Sequence, residues 1–198
     1  QFLLASEGIG KSFDVEIIVA DSTPDETLHT AVSTRFGPSL LYVRPEKPGI
    51  AGNKNAGARA AKHPILVFCD SDMEVERNTL GKAIDTLKTH ETAAGAGGAV
   101  VWRGGQHEGE YDRPRPEDRM KIIGGSMYTE AIYSRFFITY KEVFLAVGGY
   151  DEVAFNMRGE GSDLSARYWR AGFPLVYDNE IIVHHVHEAP YSAALRVP

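Results

Sequence analysis

The sequence predicts an α/β fold in which a mostly parallel sheet is flanked by helices. Short apolar runs with polar neighbours are typical of strands that are buried on both faces. In the first half of the chain these runs occupy residues 15–20 (VEIIVA), 40–43 and 65–69 (ILVFC). A helical pattern follows each of them, at residues 25–35, 51–62 and 80–87. Strands that alternate with helices indicate crossover connections between parallel strands.

The second half of the chain is less regular. Apolar runs predict further strands at residues 99–102, 136–138, 175–177 and 181–183. Helices are predicted at residues 140–147 and 164–171, and each is followed by glycine. Residues 104–125 are polar and rich in glycine, proline and charge. Segments of this length without regular structure are usually functional lids or disordered, and we expect this one to cover a substrate.

Composition narrows the function classes. The 198 residues suit a single domain, residues 1–198, and the net charge of −6 argues against general nucleic-acid binding. Cys69 is the single cysteine, so no internal disulfide can form, and we expect a buried thiol. No apolar stretch reaches the ~20 residues of a membrane span. We therefore expect a cytoplasmic protein, with peripheral membrane contact left open. The start at Gln1 without Met suggests that N-terminal residues are missing.

Two carboxylates follow the clearest predicted strand, in the sequence Asp70-Ser71-Asp72. Because ligands bind at the carboxyl ends of parallel strands, this pair is a candidate site for Mg²⁺ or Mn²⁺, which prefer oxygen ligands. A solvated turn is the alternative. Asp70 is also placed like the phosphate-accepting Asp of a receiver domain or a phosphatase, although Met73 and Glu74 weaken the phosphatase pattern.

Three imidazoles close the last predicted strand, at His184, His185 and His187. On a strand His185 and His187 share one face and His184 takes the other. A neutral imidazole could complete the coordination of a Mn²⁺ held by Asp72. The alternative is a set of exposed polar residues at a strand end.

Acidic side chains also begin a predicted helix, in the sequence GEGSD at residues 159–163. Glu160 and Asp163 are three residues apart and face the same way. Such acids are commonly helix caps or dipole partners. The glycines of residues 49–57 (GIAGNKNAG) allow a close approach to an anion before a helix, but they match no known phosphate loop.

The order of these motifs resembles the family 2 glycosyltransferases of the GT-A fold, over roughly residues 13–187. The family has an acidic turn after a strand, a helix start, a DxD strand end, a GGYDE-like segment, a second acidic helix start and a strand ending in His. The matching segments are residues 19–25 (VADSTPD), 53–57 (NKNAG), 70–72 (DSD), 148–152 (GGYDE), 159–164 (GEGSDL) and 181–184 (IIVH).

The resemblance implies a role for each matching residue. Asp21 is expected to hold the nucleobase, with Lys54 nearby. Asp70 is expected near the ribose and the metal, and Asp72 as a metal ligand. His184 matches the family's third metal-site residue, with His187 as the alternative.

The chain departs from the family pattern at three places. The family's first strand is absent from the chain, and Ala20 replaces the first acid of the turn. Gly161 stands where the family has its general-base Asp. Glu160 and then Asp163 are the remaining candidates for the base.

The expected function is therefore metal-dependent, inverting transfer of a sugar. The donor would be a nucleotide-diphospho-sugar, the cofactor Mn²⁺ or Mg²⁺, and the acceptor a saccharide, a lipid-linked molecule or a small molecule. A nucleotide-sugar-binding module without turnover is the alternative that Gly161 suggests.

Overall fold

The protein was analysed as a computed structural model that describes residues 13–104, 109–112, 121–123, 126–129, 132, 134–155 and 159–186. Its strands are β1 (Ile18–Ala20), β2 (Leu41–Val43), β3 (Ile65–Cys69), β4 (Met73–Val75), β5 (Gly95–Arg103), β6 (Tyr111–Asp112), β7 (Lys121–Ile123), β8 (Ser126–Thr129), β9 (Phe136–Tyr140) and β10 (Leu175–Val186). Its helices are α1 (Thr27–Phe36), α2 (Ile50–Ala60), α3 (Thr79–Thr89), α4 (Lys141–Ala146) and α5 (Glu160–Arg170). The predicted α/β class is confirmed.

The strands form two sheets. Strands β1 and β2 make a small parallel sheet, and the large sheet has the order β3-β9-β5-β10-β8-β7, with β4 on β10 and β6 on β5. Within the large sheet only β5 and β10 are parallel; the other described pairs are antiparallel. The sheet is therefore mixed, not mostly parallel as expected. An apolar run indicates only that a strand is buried on both faces. A buried antiparallel strand has the same run as a parallel one, so the run does not give the strand direction.

Helices cover both faces of the large sheet. Neighbouring residues of a strand point to opposite faces, and on β9 Ile138 packs in one apolar core whereas Phe137 packs in the other. The first core lies under α3, whose predicted apolar stripe is confirmed because Leu80, Ala83, Ile84 and Leu87 are all buried. The second core lies under α2, α4 and α5. Strand β3, which precedes Asp70 and Asp72, is thereby packed on both faces.

The small sheet is less covered than the large one. No residue of α1 is buried, and each residue of β1 is half-buried. Among the described strands, β1 pairs only with β2, and β3 pairs only with β9.

A bulge shapes the centre of the large sheet. The register of β10 against β5 shifts between Asp178 and Ile182, beside Gly98 of β5. A Cβ atom at Gly98 would lie 2.0 Å from the carbonyl oxygen of Ile181 and 2.4 Å from its Cβ atom. The bulged strand therefore approaches β5 more closely than any side chain permits.

We expect Gly98→Ala to lower the free energy of unfolding by about 1–3 kcal/mol or more, because its methyl group would force the backbone of β10 away. Gly81→Ala is the matched control, since Gly81 lies in α3 with no atom within 4 Å of an added Cβ. Alanine favours helix by about 1 kcal/mol over glycine, so the control should be stabilised. Urea unfolding of both variants measures the difference. Equal effects in the two variants would contradict the close approach.

None of the helices in the described part of the chain is long and apolar enough to cross a membrane.

Candidate active site

The acidic turn after β3 is held by main-chain hydrogen bonds. The Asp70 amide donates to the Arg135 carbonyl at 2.9 Å, and the Met73 amide donates to the Asp70 carbonyl at 3.1 Å. The chain then reverses into β4, so that Asp70 and Asp72 occupy one tight turn. The Asp72 side chain is 50% exposed and the Asp70 side chain is 31% exposed. Asp72 is thus the more available of the two for a ligand.

Lys54 of α2 lies between two carboxylates. Its Nζ is 3.0 Å from Asp70 Oδ1 and 3.7 Å from Glu160 Oε1, and it donates to the Ser134 carbonyl at 2.9 Å. Nζ also lies 5.4 Å from the centre of the Tyr150 ring. The structure therefore places Lys54 at the DxD turn, where its charge offsets those of two acids from distant parts of the chain.

The surroundings of Asp70 alter its acidity and that of the neighbouring thiol. Burial raises the pKa of Asp70, and the negative charges of Asp72 and Glu160 add to this, while Lys54 opposes it. Burial and the charges of Asp70 and Asp72 raise the pKa of the Cys69 thiol to about 12. The thiol therefore stays protonated at neutral pH, as expected for an unreactive cysteine.

The two candidate bases have different surroundings. Glu160 is 7% exposed, and its Oε1 accepts a 2.6 Å hydrogen bond from Ser134 Oγ. Asp163 Oδ2 accepts from Nε and Nη2 of Arg167, at 2.9 and 2.7 Å. The same guanidinium donates to the Val147 carbonyl. Of the two acids, Glu160 lies beside Lys54 and Asp70. Asp163 instead holds the Arg167 side chain in place.

Asp72 meets an imidazole across the sheet. Strand β10 pairs antiparallel with β4, with His185 opposite Met73, and the Val186 amide donates to the Asp72 carbonyl at 2.9 Å. This register brings His185 Nε2 to 3.1 Å from Asp72 Oδ2. The ring of Trp102 packs 4.3 Å from the His185 ring and limits its rotation. His185 is one of the three imidazoles noted in the sequence, but the resemblance favours His184 and then His187; the β4–β10 register is what places His185 at Asp72.

The other two histidines are placed differently. His184 points to the opposite face of β10, where its Nε2 lies 2.7 Å from Glu76 Oε1. The structure therefore does not bring His184 to Asp72, because consecutive strand residues alternate. His187 lies outside the described residues.

Asp21 lies at the end of β1, in a turn of its own. Its Oδ1 accepts from the Thr23 amide at 3.0 Å and from Thr23 Oγ1 at 2.6 Å, and its Oδ2 accepts from the Tyr42 hydroxyl. Burial raises the pKa of Asp21, but these hydrogen bonds outweigh it and the pKa is lowered. A carboxylate offers about four acceptor positions, so one remains for a ligand.

Asn55 joins two motifs that lie far apart in the sequence. Its side-chain amide donates to the Tyr150 carbonyl at 2.8 Å and to Glu152 Oε1 at 2.7 Å, and its Oδ1 accepts from the Tyr150 amide at 2.9 Å. A Cβ atom at Gly149 would lie 2.6 Å from Asn55 Oδ1. The 148–152 segment therefore serves to position α2, and with it Lys54.

Residues 4–146 match the family model described as "Glycosyl transferase family 2". The chain belongs to glycosyl transferase family 2. It is 27% identical to N-acetylgalactosaminyltransferase 6 of Drosophila melanogaster over 88% of this chain. It is 26% identical to probable N-acetylgalactosaminyltransferase 9 of Caenorhabditis elegans over 80% of this chain. The chain spans only 29% and 31% of the lengths of these curated relatives.

Solved structures of glycosyltransferases share the fold of this family 2 chain. A crystal structure of GalNAc-T7 with UDP, GalNAc and Mn²⁺ superposes with a TM-score of 0.65 and 20% identity, over 87% of this chain and 38% of that one. The structure of the mannosyltransferase PcManGT from Pyrobaculum calidifontis, in complex with GDP-Man and Mn²⁺, superposes with a TM-score of 0.64 and 19% identity. The match covers 98% of this chain and 56% of that one. The GT-A fold expected from the sequence is confirmed.

Two side chains of this family 2 chain are candidate ligands for a metal ion. In the described part of the chain, no group of three or more His, Cys, Asp and Glu residues could hold a metal ion. Asp72 Oδ2 and His185 Nε2, however, are 3.1 Å apart. Neighbouring ligands of an octahedral ion with bonds near 2.1 Å are about 3.0 Å apart, so the pair fits two adjacent positions of Mg²⁺ or Mn²⁺.

Proposed function

We propose that the protein transfers a sugar from a nucleotide-diphospho-sugar to an acceptor hydroxyl, with inversion and with a divalent metal ion. The observation that carries the proposal is the Asp72–His185 pair, which lies at the strand ends of a family 2 chain, with Lys54 of α2 paired to Asp70 of the same turn. We further propose that residues 1–198 form one catalytic domain. The acceptor is a saccharide, a lipid-linked molecule or a small molecule.

Asp72 and His185 would hold the metal ion. Mg²⁺ and Mn²⁺ accept oxygen ligands and keep several positions for phosphate and water, which suits a diphosphate donor. When bound, such an ion neutralises the charge that develops on the leaving diphosphate. Trp102 maintains the orientation of the His185 ring. His184 is proposed to support β10 through Glu76 and not to contact the metal.

Glu160 is the proposed general base, and Asp163 a positioning residue. A base must reach the acceptor hydroxyl, and the Glu160 carboxylate is held by Ser134 beside Lys54. Asp163 is already engaged twice by Arg167. Asp21 is proposed to accept a hydrogen bond from the nucleobase with its remaining acceptor position.

A binding module without turnover is the second candidate. Gly161 cannot accept a proton, and a Cβ atom there would lie 3.0 Å from Ser134 Cβ. The position has little room for the acid that the family places there. Transfer of sugar above the uncatalysed background would exclude this candidate. Membership of family 2 removes the earlier alternatives of a receiver domain and a phosphatase.

We expect donor binding to require the metal, Asp72 and His185. Calorimetry with UDP-GalNAc and with GDP-mannose, in Mn²⁺ and in EDTA, measures this. Removal of the metal, Asp72→Asn and His185→Ala should each weaken the affinity for the preferred donor by more than about tenfold, because carboxylate, imidazole and diphosphate share one ion.

His184→Ala is the matched control for this experiment, since it removes the adjacent imidazole from the opposite face of the strand. It should retain the donor affinity within a few fold. If His184→Ala weakens the binding and His185→Ala does not, the metal ligand is His184. If EDTA and Asp72→Asn leave the affinity unchanged, the proposed metal site is refuted.

A further inference from the structure

A small cavity lies beside Gly161, the residue that follows the proposed base. Its polar lining consists of Ser134, Tyr150, Ser165 and Tyr168, and Gly161 forms part of the wall. The cavity volume is about 10 Å³. By this measure a single water molecule needs about 10–15 Å³, so the space suits one water and nothing larger.

Tyr150 has a buried hydroxyl without a hydrogen-bond partner in the described part of the chain. The residue is 2% exposed. Burial raises the pKa of this hydroxyl well above its usual value, so it carries its proton and can donate. An unsatisfied buried hydroxyl lowers the stability of the folded state, so natural proteins seldom leave one without a partner.

Two other hydroxyls of the cavity have acceptor capacity left. Ser134 Oγ donates its proton to Glu160 Oε1 at 2.6 Å. Ser165 Oγ donates to the Gly161 carbonyl at 2.7 Å and accepts from the Ile132 amide at 3.2 Å. A hydroxyl has one donor and two acceptor positions, so each serine oxygen can still accept a hydrogen bond.

We propose that one ordered water molecule is bound in this cavity, where it accepts a hydrogen bond from Tyr150 and donates to Ser134 and Ser165. The Tyr150 hydroxyl has a proton to donate, and each serine oxygen can accept one more hydrogen bond. Three hydrogen bonds are typical of a buried water molecule. Tyr168 is not required, because its hydroxyl already pairs with Thr139 Oγ1 at 2.7 Å.

The proposed water explains why a glycine suits position 161. A Cβ atom there would lie 3.2 Å from Ser134 Oγ and would enter the space beside that hydroxyl. With glycine the water links Tyr150, through Ser134, to Glu160. This inference does not depend on the proposed transferase activity, since it concerns the folded protein alone.

A crystal structure of the unmodified protein at a resolution that shows ordered solvent is the direct test. We expect density for one water within hydrogen-bond distance of the Tyr150 hydroxyl. An empty cavity in such a map would overturn the proposal. This measurement needs no variant and so stands even where a substitution prevents folding.

Thermal unfolding of Tyr150→Phe is the second test, because a water-bound hydroxyl and an unsatisfied hydroxyl predict opposite changes in the Tm. Loss of a hydroxyl that binds water should lower the Tm by about 2–4 °C, whereas loss of an unsatisfied hydroxyl should raise it. Tyr168→Phe is the control, since it removes a hydroxyl whose partner is the Thr139 side chain. A Tyr150→Phe variant that is as stable as the unmodified protein, or more so, would contradict the bound water.

Discussion

Lys54→Met is expected to lower the free energy of unfolding by about 3–5 kcal/mol at neutral pH, the range measured when one partner of a buried ion pair is removed. The side chains of Lys54 and Glu160 are each only 10% exposed. Without the ammonium group, the carboxylates of Asp70 and Glu160 would face each other with no nearby cation from α2. Urea unfolding at pH 7 measures the loss.

The effect of Lys54→Met should depend on pH. Burial already raises the pKa of Asp70 in the folded state above its value in the unfolded state. The free energy of unfolding therefore falls as the pH rises from the unfolded-state pKa to the folded-state pKa, because the buried carboxyl loses its proton. Removal of Lys54 should raise this pKa further. The variant should therefore lose stability with rising pH more steeply than the unmodified protein, and the two should converge as the pH falls.

Lys82→Met is the matched control for Lys54→Met. Lys82 lies 3.6 Å from Glu180, and their side chains are 44% and 73% exposed. Exposed ion pairs contribute about 0–1 kcal/mol, so this variant should hardly change the stability. Two results would contradict the stabilising role of Lys54 between Asp70 and Glu160. One is a similar loss of unfolding free energy in the two variants, and the other is a loss in Lys54→Met that does not vary with pH.

Glu160→Gln is expected to reduce the rate of sugar transfer by about 10²–10⁴-fold at saturating donor, the usual contribution of a positioned base. Gln keeps the size of the side chain and still accepts from Ser134 Oγ. Donor affinity, measured separately by calorimetry, should therefore change little. A loss in rate without a loss in donor affinity separates a chemical role from a binding role.

Asp163→Asn is the comparison variant for Glu160→Gln, since both acids lie in the first turn of α5. It should weaken the two hydrogen bonds that Asp163 Oδ2 accepts from Arg167 and lower the Tm, while the rate stays within a few fold. If Asp163→Asn alone removes turnover, Asp163 is the base. If neither variant slows transfer, Glu160 and Asp163 are both excluded as the base, and a donor-phosphate-assisted or a retaining mechanism becomes the better account.

Local pattern was enough to predict most of the elements that build the site. The run at residues 65–69 is β3, and the stripe of Leu80, Ala83, Ile84 and Leu87 is the buried face of α3. These predictions hold because burial on one or both faces requires apolar residues at a regular spacing, and that spacing is visible among neighbouring residues of the sequence. Strand direction has no such period, so the mixed sheet was not predicted.

The resemblance predicts that Lys54 lies near the nucleobase, and this stays a prediction. The contacts of Lys54 with Asp70 and Glu160 are seen only in the structure. Asn55 shows the same limit, because its contacts with Tyr150 and Glu152 span more than 90 residues of sequence. Contacts of this kind depend on how α2 packs over the sheet. No local spacing encodes that packing.

The sequence by itself determined the class of the fold, the family, and the two acids that end β3, since each follows from local pattern and from the order of motifs. Only the tertiary structure decided which histidine meets Asp72. The choice between His184 and His185 depends on one residue of register between β4 and β10, and a shift of one residue turns a side chain to the other face. That register is set by β5 and β4 on either side of β10, by the bulge between Asp178 and Ile182 and by Gly98 beside it in β5. These are contacts between segments that are distant in the chain, which explains why the sequence alone could not choose.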